Sequence, residues 1–323
     1  MTARSSTAEM RQLMKDAFGA ELREDVPLGP YTSARIGGEA DILITADSAR
    51  RLAEIAEWLW ENELGFRIIG GGSNVLVSDD GVREVVILNK ARAVEFIDDG
   101  DVFRVRAESG AGLGTIARRA SERGWGGLEW AATIPGTIGG AVVGNAGAHG
   151  GSMAGKLLMA EILQQGKSME SWAVERFDYA YRESSLKKNP GNAVVLSATL
   201  KVEPSTVEDS RAKIQAFVAQ REKTQPPGAS MGSMFKNPTG DFAGRLIDEA
   251  GLKGLRRGNA AISDKHANFF INEGGASARD VRELIQVARS EVAAKFGLEL
   301  ELEIELFGDW EESDAGLSGV NTG

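Results

Sequence analysis

The chain of 323 residues contains no cysteine and only two histidines, His149 and His266. Without cysteine it can form no disulfide and can offer no thiolate for catalysis or metal binding. Two histidines are too few for a histidine-rich metal site. The chain also has fewer basic than acidic residues, 37 lysines and arginines against 47 aspartates and glutamates, for a net charge of −10. An acidic chain does not steer itself to nucleic acid or to an anionic membrane, so local groups must hold any anionic ligand.

The chain also lacks a convincing membrane segment. Its first residues, Met1 to Glu9, contain no apolar stretch of the kind found in signal peptides. Residues 130–155 carry no formal charge and are long enough to cross a bilayer, but Pro135, Asn145 and eight glycines would make a poor spanning helix. We therefore expect a cytoplasmic protein with no membrane insertion.

Glycine, in contrast, is abundant, and it is concentrated in loops. There are 40 glycines, about 12% of the chain against a typical ~7%. Two loops stand out, Gly70 to Asn74 and the uncharged stretch from Trp130 to Gly155. Backbone N–H groups in such loops form anion-binding concavities. A diphosphate joined to a flat apolar ring system would suit both loops, whereas a tight turn is the ordinary explanation for one loop alone.

Two familiar nucleotide motifs do not fit these loops. In the first, Val75 occupies the position of the third glycine of a dinucleotide fingerprint, and the loop leads into a strand instead of a helix. The run from Gly150 to Leu157 approaches a P-loop, but Leu157 replaces the Ser or Thr that holds magnesium. Neither motif is assigned.

Hydrophobic periodicity predicts an alternation of helices and strands. We expect helices over residues 51–63 and 113–123, and strands over 66–69, 75–77, 85–88, 102–107 and 194–202. The pattern divides the chain into an αβ unit (1–90), a second α+β unit (91–203), a smaller domain (204–310) and a polar tail (311–323).

The third unit carries its own boundary signals. Ser205 and Glu208 have the spacing of a capping box ahead of a helix that ends at Gln225-Pro-Pro-Gly228. A long amphipathic helix is predicted over 278–296, closed by Gly297. Residues 298–306 alternate Leu or Ile with Glu, which predicts a strand with one buried and one acidic face.

An ordered set of short motifs resembles the UDP-N-acetylenolpyruvoylglucosamine reductases (the MurB family). It covers roughly residues 25–308 in the family's order and spacing. The motifs that carry the resemblance are Thr32–Gly38, Gly70–Val77, Ile134–Ala141 with Asn145–Ala148, Tyr181–Ser184, Gly232–Pro238, Ala260–Asn272 and Leu300–Glu303.

This resemblance implies an α+β fold with a two-part FAD-binding region, of the kind seen in the vanillyl-alcohol oxidase (PCMH/VAO) group, and a substrate domain. It implies noncovalent FAD, NADPH as reductant and a small UDP-sugar substrate. The implied reaction reduces UDP-N-acetylglucosamine enolpyruvate to UDP-N-acetylmuramate in peptidoglycan precursor synthesis. The implied flavin-binding positions are Gly70, Gly71, Gly72, Ser73, Asn74, Val75, Ile134, Pro135, Gly136, Thr137, Gly139, Gly140, Asn145 and Gly147.

The resemblance also implies three catalytic residues. Ser233 matches the serine that gives a proton to carbon, a task for which a neutral hydroxyl needs a strongly basic enolate held beside it. Arg182 would face the developing enolate and the substrate carboxylate, which suits a planar, always charged guanidinium. Glu303 would polarise the enolpyruvyl carboxylate or relay a proton. Alternation alone cannot separate Glu303 from its acidic neighbours along residues 299–305.

Lesser roles follow from the same comparison. Asn237 is implied to contact substrate, and Lys236 is a possible partner of its diphosphate. We expect His266 to be structural and assign no chemistry to His149. The chain resembles the shorter subtype of the family, without the loop that bears a substrate-capping tyrosine, because no tyrosine follows Tyr181.

Two other functions are compatible with the glycine loops. One is a flavin-dependent alcohol or sugar oxidase on the same scaffold, which would consume oxygen. The other is a protein that binds a flavin or a UDP-sugar without catalysis. The presence of Arg182, Ser233 and Glu303 together disfavours the second alternative.

Overall fold

The structure, a computed structural model, describes residues 7–100 and 102–310. The polar tail expected over 311–323 lies outside the described residues. Among the described residues no helix has the length and apolar character needed to cross a membrane. The α-helices are α1 (Thr7–Phe18), α2 (Ala49–Glu61), α3 (Leu113–Ser121), α4 (Ile138–Val143), α5 (Ser185–Lys188), α6 (Val207–Thr224), α7 (Ala243–Glu249) and α8 (Ala278–Phe296).

Strands alternate with these helices and group into three main sheets. They are β1 (Leu22–Pro27), β2 (Glu39–Ala46), β3 (Phe66–Ile69), β4 (Val75–Val77), β5 (Val82–Asn89), β6 (Val94–Asp98), β7 (Phe103–Glu108), β8 (Trp125–Gly126), β9 (Gly147–Ala148), β10 (Gly151–Ser152), β11 (Leu157–Gln164), β12 (Glu170–Ala173), β13 (Ala193–Pro204), β14 (Arg256–Arg257), β15 (Ala260–Ile262), β16 (Phe270–Asn272) and β17 (Glu305–Phe307).

The first sheet has the order β1-β2-β5-β3, with β5 parallel to both β2 and β3. Helix α2 crosses between β2 and β3 and buries one apolar face, at Leu52, Ile55, Ala56 and Leu59. Its start is fixed by Ser48, whose hydroxyl accepts a hydrogen bond from the Arg51 N–H at 3.2 Å. The helix and strands expected over 51–88 are therefore confirmed, with small differences at the ends.

The second sheet is antiparallel and has the order β12-β11-β13-β7-β6. Strand β13 lies at its centre, and its burial is nearly continuous over residues 194–200. Helices α3 and α4 cover this sheet through apolar residues such as Leu113, Ile116 and Ile138. The strands expected over 102–107 and 194–202 are confirmed, and so is a helix that begins at Leu113.

The third sheet is a small antiparallel one, β14-β15-β16, packed against α7 and α8. Helix α8 spans the predicted residues, since Ser277 and Asp280 form a capping box at its start. Gly297 ends it in the left-handed region, with φ of 66°.

One predicted cap is wrong. The residue that caps α6 is Thr206, not Ser205, because the Thr206 hydroxyl accepts a hydrogen bond from the Asp209 N–H at 3.0 Å. Ser205 is held elsewhere, since its N–H donates to the Gly124 carbonyl at 2.7 Å. Adjacent Ser and Thr residues both satisfy the sequence pattern, and strand β13 determines which of them begins the helix.

The strand expected over 298–306 is also wrong. Only β17 is regular strand, and it pairs with β4 in parallel, whereas Leu302 makes an isolated bridge to Phe235. The segment changes partners part-way, so no continuous ladder forms with one neighbour. Its buried residues are Leu300, Ile304 and Phe307 rather than every second position.

The hydrophobic clusters cross the expected domain boundaries. Leu163 and Leu196 of the second sheet pack with the core of the first. Ile36 and Leu76 of the first unit pack with α7 and α8. The division at residues 90 and 203 stays a prediction, but these contacts hold the three sheets against one another.

Candidate active site

The glycine loop at 70–74 joins β3 to β4 and is tightly surrounded. Gly72 adopts φ of +59°, and a Cβ built there would lie 2.0 Å from the Tyr31 carbonyl oxygen. A Cβ at Gly70 would lie 2.4 Å from Thr137 Oγ1. Side chains are therefore excluded at these two positions, and the bare backbone faces its surroundings.

The second loop lies directly against the first. Ser73 donates a hydrogen bond to the Pro135 carbonyl at 3.3 Å, and a Cβ at Gly71 would lie 3.1 Å from the Gly136 Cα atom. The 134–137 turn precedes α4, and the Gly139 N–H donates to the Ser109 carbonyl at 2.8 Å. The two glycine loops that the sequence separates by about sixty residues thus form one surface.

A cavity of about 570 Å³ opens at this surface. The predicted flavin-binding residues Gly70, Gly71, Gly136 and Thr137 line it. Other parts of its wall were missed in the sequence. They are Pro30, Tyr31, Thr32, Ser33, Leu88, Lys90, Arg92, Val94, Gly110, Ala111, Gly112, Thr115, Ile116 and Arg119.

One of the missed segments had a sequence signal. Gly110 and Gly112 flank Ala111 just before α3, which is the arrangement of a glycine turn leading into a helix N-terminus. A Cβ at Gly110 would lie 2.6 Å from Asn89 Oδ1. This turn therefore approaches the end of β5 closely, and it completes the cavity opposite the 70–74 loop.

Asn145 and Gly147, two further predicted flavin positions, do not line this cavity. Asn145 instead donates to the Ala180 carbonyl at 2.8 Å and accepts from the Ala154 N–H at 3.0 Å. The Gly147 carbonyl accepts a hydrogen bond from Arg182 Nη1 at 3.1 Å. Both residues therefore join the end of the uncharged stretch to the segment that contains Arg182.

The remaining predicted flavin positions lie along the two loops. Ser73 and Asn74 complete the 70–74 loop, Val75 begins β4, and Ile134 packs against the core of the second sheet. Gly140 is on α4, and a Cβ there would meet only Thr137 Oγ1, at 3.9 Å. Space next to Gly140 is thus open.

Arg182 lies in a tight turn closed by mutual backbone hydrogen bonds between Ala180 and Glu183, both 3.2 Å. It adopts φ of +58°, which is uncommon for a residue with a side chain. Ser184 anchors the turn, because its hydroxyl donates to the Val143 carbonyl at the end of α4 at 2.6 Å. This geometry aims the guanidinium towards Glu303.

The Arg182–Glu303 contact is the central polar pair of the site. Arg182 Nε donates to Glu303 Oε1 at 2.6 Å, and the two side chains are only 25% and 15% exposed. Burial raises the pKa of the Glu303 carboxyl above its ordinary value, although the positive charge of Arg182 opposes this. Within the described residues Arg182 Nη2 has no partner, so donors remain for a ligand.

Backbone contacts explain why Glu303, of the four glutamates, is the one placed here. Its N–H donates to the Met234 carbonyl at 2.9 Å, and its carbonyl accepts from Asn74 Nδ2 at 3.0 Å. At Glu303 the backbone therefore changes neighbours, from the Gly232–Asn237 segment to strand β4. Glu301 and Glu305, in contrast, are exposed.

Ser233 follows Gly232, which has φ of +81°, and it forms an isolated bridge to Phe269, the residue before β16. The next residue, Met234, makes the backbone contact to Glu303. In the described part of the chain the Ser233 hydroxyl has no hydrogen-bond partner. Arg182 and Glu303 are thus in direct contact, and Ser233 lies on the segment whose next residue, Met234, accepts the Glu303 N–H.

Lys236 and Asn237 are already engaged. Lys236 Nζ donates to Glu183 at 3.0 Å and to Glu301 at 3.2 Å, and these two carboxylates raise the pKa of Lys236 against the effect of its burial. Asn237 Oδ1 accepts from the Ala243 N–H at 3.1 Å at the start of α7. For either side chain to bind substrate, it would have to exchange these partners.

Both histidines pack against aromatic rings. His149 stacks on Phe217 of α6 with ring centres 4.2 Å apart. His266 meets Phe269 edge-on, and burial lowers the pKa of its imidazole. These contacts are in keeping with structural roles.

Comparison with known proteins assigns this architecture. A model described as an FAD binding domain matches residues 40–164, across the cavity and both glycine loops. A model of the C-terminal domain of UDP-N-acetylenolpyruvoylglucosamine reductase matches residues 223–307, which include Ser233 and Glu303. A reductase of that name from Chloroflexus aurantiacus is 40% identical over 91% of this chain and 100% of its own length.

The chain belongs to the UDP-N-acetylenolpyruvoylglucosamine reductase family. A second member, from Rubrobacter xylanophilus, is 41% identical over 88% of this chain and 95% of its own length. The crystal structure of the reductase from Thermus caldophilus superposes with a TM-score of 0.76 at 36% identity, covering 88% of this chain and 99% of that one. The family resemblance and the α+β fold with an FAD-binding region are confirmed.

Proposed function

We propose that this protein reduces UDP-N-acetylglucosamine enolpyruvate to UDP-N-acetylmuramate, using noncovalent FAD and NADPH, in the synthesis of peptidoglycan precursors. The observation that carries the proposal is the Arg182–Glu303 pair, next to the segment that contains Ser233, in a chain with an FAD-binding domain. A simple flavin-binding protein would have no need for a buried ion pair and an unpartnered hydroxyl.

The residues of the glycine loops fit FAD. Side chains are excluded at Gly70 and Gly72 by contacts of 2.4 Å and 2.0 Å, so backbone amides can approach a diphosphate closely. The cavity that Gly70 and Gly71 line, about 570 Å³, is of the size that holds a cofactor. When bound there, FAD supplies the hydride chemistry that no amino-acid side chain offers.

Arg182 and Glu303 have complementary tasks in this proposal. The guanidinium stabilises negative charge that develops on the enolpyruvyl group, through the donors that Glu303 and Gly147 leave free. A Glu303 carboxyl whose pKa is raised by burial can be protonated and can donate a hydrogen bond to the substrate carboxylate. Their contact at 2.6 Å fixes the orientation of both side chains, so that each is positioned to contact the substrate.

Ser233 is the proposed proton donor to carbon. Its hydroxyl lies on a segment fixed on both sides, by Phe269 and by the Met234–Glu303 hydrogen bond. A hydroxyl is a weak acid in water, so it can protonate only an enolate that is held next to it. This rigid placement provides the required proximity.

The decisive experiment measures NADPH oxidation by the purified, flavin-loaded protein with and without UDP-N-acetylglucosamine enolpyruvate. We expect oxidation to depend on that substrate and to yield UDP-N-acetylmuramate. Oxygen uptake with alcohols instead would favour an oxidase. A protein that remains colourless after incubation with FAD would contradict the proposal.

The connection between β13 and α6 is short in this chain. Strand β13 ends at Pro204 and α6 begins at Val207, so no loop is inserted there. Tyr181 is 52% exposed beside Arg182, and Phe242 is 66% exposed at the start of α7. These are the exposed aromatic side chains of the described residues nearest in sequence to the proposed catalytic groups.

A further inference from the structure

Three cations line the cavity that Gly70 and Gly71 also line. Lys90 follows β5, Arg92 precedes β6, and Arg119 is on α3. Lys90 and Arg92 share the short connection between β5 and β6, and the tertiary structure brings Arg119 of α3 to the same cavity. The cavity lining contains no acidic residue.

These three cations have no ionic partners among the described residues. Among residues 7–100 and 102–310 none of them has a carboxylate within 4.0 Å or donates a side-chain hydrogen bond. Among the described residues Arg118 and Arg123 also lack a carboxylate partner, whereas Arg67 is paired with Glu84 at 2.6 Å and Arg106 with Glu161 at 2.7 Å. In a chain with a net charge of −10, such a cluster without counter-charge is unusual.

The environment of each cation leaves its donors available. Arg119 lies over the Phe96 ring at 5.1 Å, a contact that uses the guanidinium face and leaves the N–H groups in its plane free. Burial and the like charge of Arg92 lower the pKa of the Lys90 ammonium. A bound anion would offset both the cost of burying the Lys90 charge and the repulsion between Lys90 and Arg92.

We propose that Lys90, Arg92 and Arg119 bind the phosphate groups of FAD and supply the charge that the glycine loops cannot. The inference rests on the proposed function, because it takes FAD as the ligand of the cavity. Glycine amides fit the shape of a diphosphate but carry only partial charge. Ionised donors form shorter and stronger hydrogen bonds to phosphate, and an arginine can bind it in bidentate fashion.

This assignment has two consequences for cofactor choice. The protein should bind FAD more tightly than riboflavin, which has the same ring system but no phosphate. The affinity for FAD should also fall as salt concentration rises, because the interaction is between partly exposed charges. The cations would not take part in the reduction itself.

The test uses flavin-free protein and follows the quenching of flavin fluorescence during titration. The variants are Lys90→Ala, Arg92→Ala, Arg119→Ala and the triple substitution, with Lys201→Ala, on the exposed surface of β13, as a control for the loss of one positive charge. Each single variant should weaken FAD binding by about tenfold at low salt, and the triple variant by about a hundredfold or more. Binding of riboflavin should not change, and Lys90→Arg should restore most of the affinity for FAD.

Several results would overturn the inference. One is FAD affinity in the triple variant equal to that of Lys201→Ala. Another is an equal loss for FAD and riboflavin, which would indicate a structural role. A third is a loss that is the same at low and high salt, which would indicate stacking on adenine instead of phosphate binding. Failure of the unmodified protein to bind FAD would instead overturn the proposed function.

Discussion

Substitution of Gly72 by alanine tests the close approach on which the cofactor site depends. Gly72 has φ of +59°, and its carbonyl accepts from the Ser33 N–H at 2.9 Å and from the Ser33 hydroxyl at 3.2 Å. The 70–74 loop is therefore fastened to the segment from Tyr31 to Ser33, which also lines the cavity. A methyl group at Gly72 would point into this junction.

The expected cost of Gly72→Ala has two parts. An alanine in the left-handed region costs about 1–2 kcal/mol. The added Cβ would lie 2.0 Å from the Tyr31 carbonyl oxygen, so backbone must move. Overpacking of this kind costs about 1–3 kcal/mol more. We expect the free energy of unfolding to fall by roughly 2–5 kcal/mol in total.

Gly166→Ala provides the matched control. Gly166 has φ of +69° in the turn after β11, and a Cβ there would meet nothing within 4 Å. The Gly166→Ala variant should lose only the conformational part of the free energy of unfolding, about 1–2 kcal/mol. Urea unfolding of the flavin-free proteins measures both losses, and FAD titration should show weaker binding for Gly72→Ala alone. Equal losses in the two variants, with equal FAD affinity, would refute the close approach.

Three further predictions concern the proposed catalytic residues. Ser233→Ala should retain flavin reduction by NADPH but lose about 10²–10⁴-fold in turnover of the enolpyruvyl substrate; equal loss in both half-reactions would remove Ser233 as proton donor. Arg182→Lys should lower kcat by at least about tenfold, because an ammonium cannot reproduce the planar donor set; near-normal kcat would contradict this. Because burial raises the pKa of Glu303, the folded state favours its protonated form, and stability is lost as pH rises through that pKa. Urea unfolding should therefore show that the unmodified protein loses stability relative to Glu303→Gln as pH rises above the ordinary carboxyl range. The same pH dependence of stability in both proteins would contradict a raised pKa of Glu303.

Local signals were most reliable where short-range interactions decide the structure. Helix α8 has its predicted limits because Ser277, Asp280 and Gly297 satisfy the two ends of the helix from within a few residues. The α6 cap was misplaced by one residue, since Ser205 and Thr206 offer the same chemistry and the pairing of Ser205 with Gly124 is remote in sequence.

The candidate site was only partly accessible to sequence reasoning. The resemblance implied Arg182, Ser233 and Glu303; the structure pairs Arg182 with Glu303 and connects the Glu303 backbone to Met234, the residue after Ser233. Their partners could not be foreseen, such as Gly147 for Arg182 or Glu183 for Lys236. The Lys90, Arg92 and Arg119 cluster was missed, because nothing in the sequence indicates that the loop with Lys90 and Arg92 lies beside Arg119 of α3.

By itself, the sequence determined the amphipathic helices, the two glycine loops and the family, because each depends on local composition or ordered motifs. The tertiary structure decided that the two loops share one surface and that Glu303, among four alternating glutamates, faces Arg182. It does so by returning the end of the chain to β4, where Glu305 pairs with Val75. Contacts across more than two hundred residues depend on packing of the whole chain, which local periodicity cannot encode.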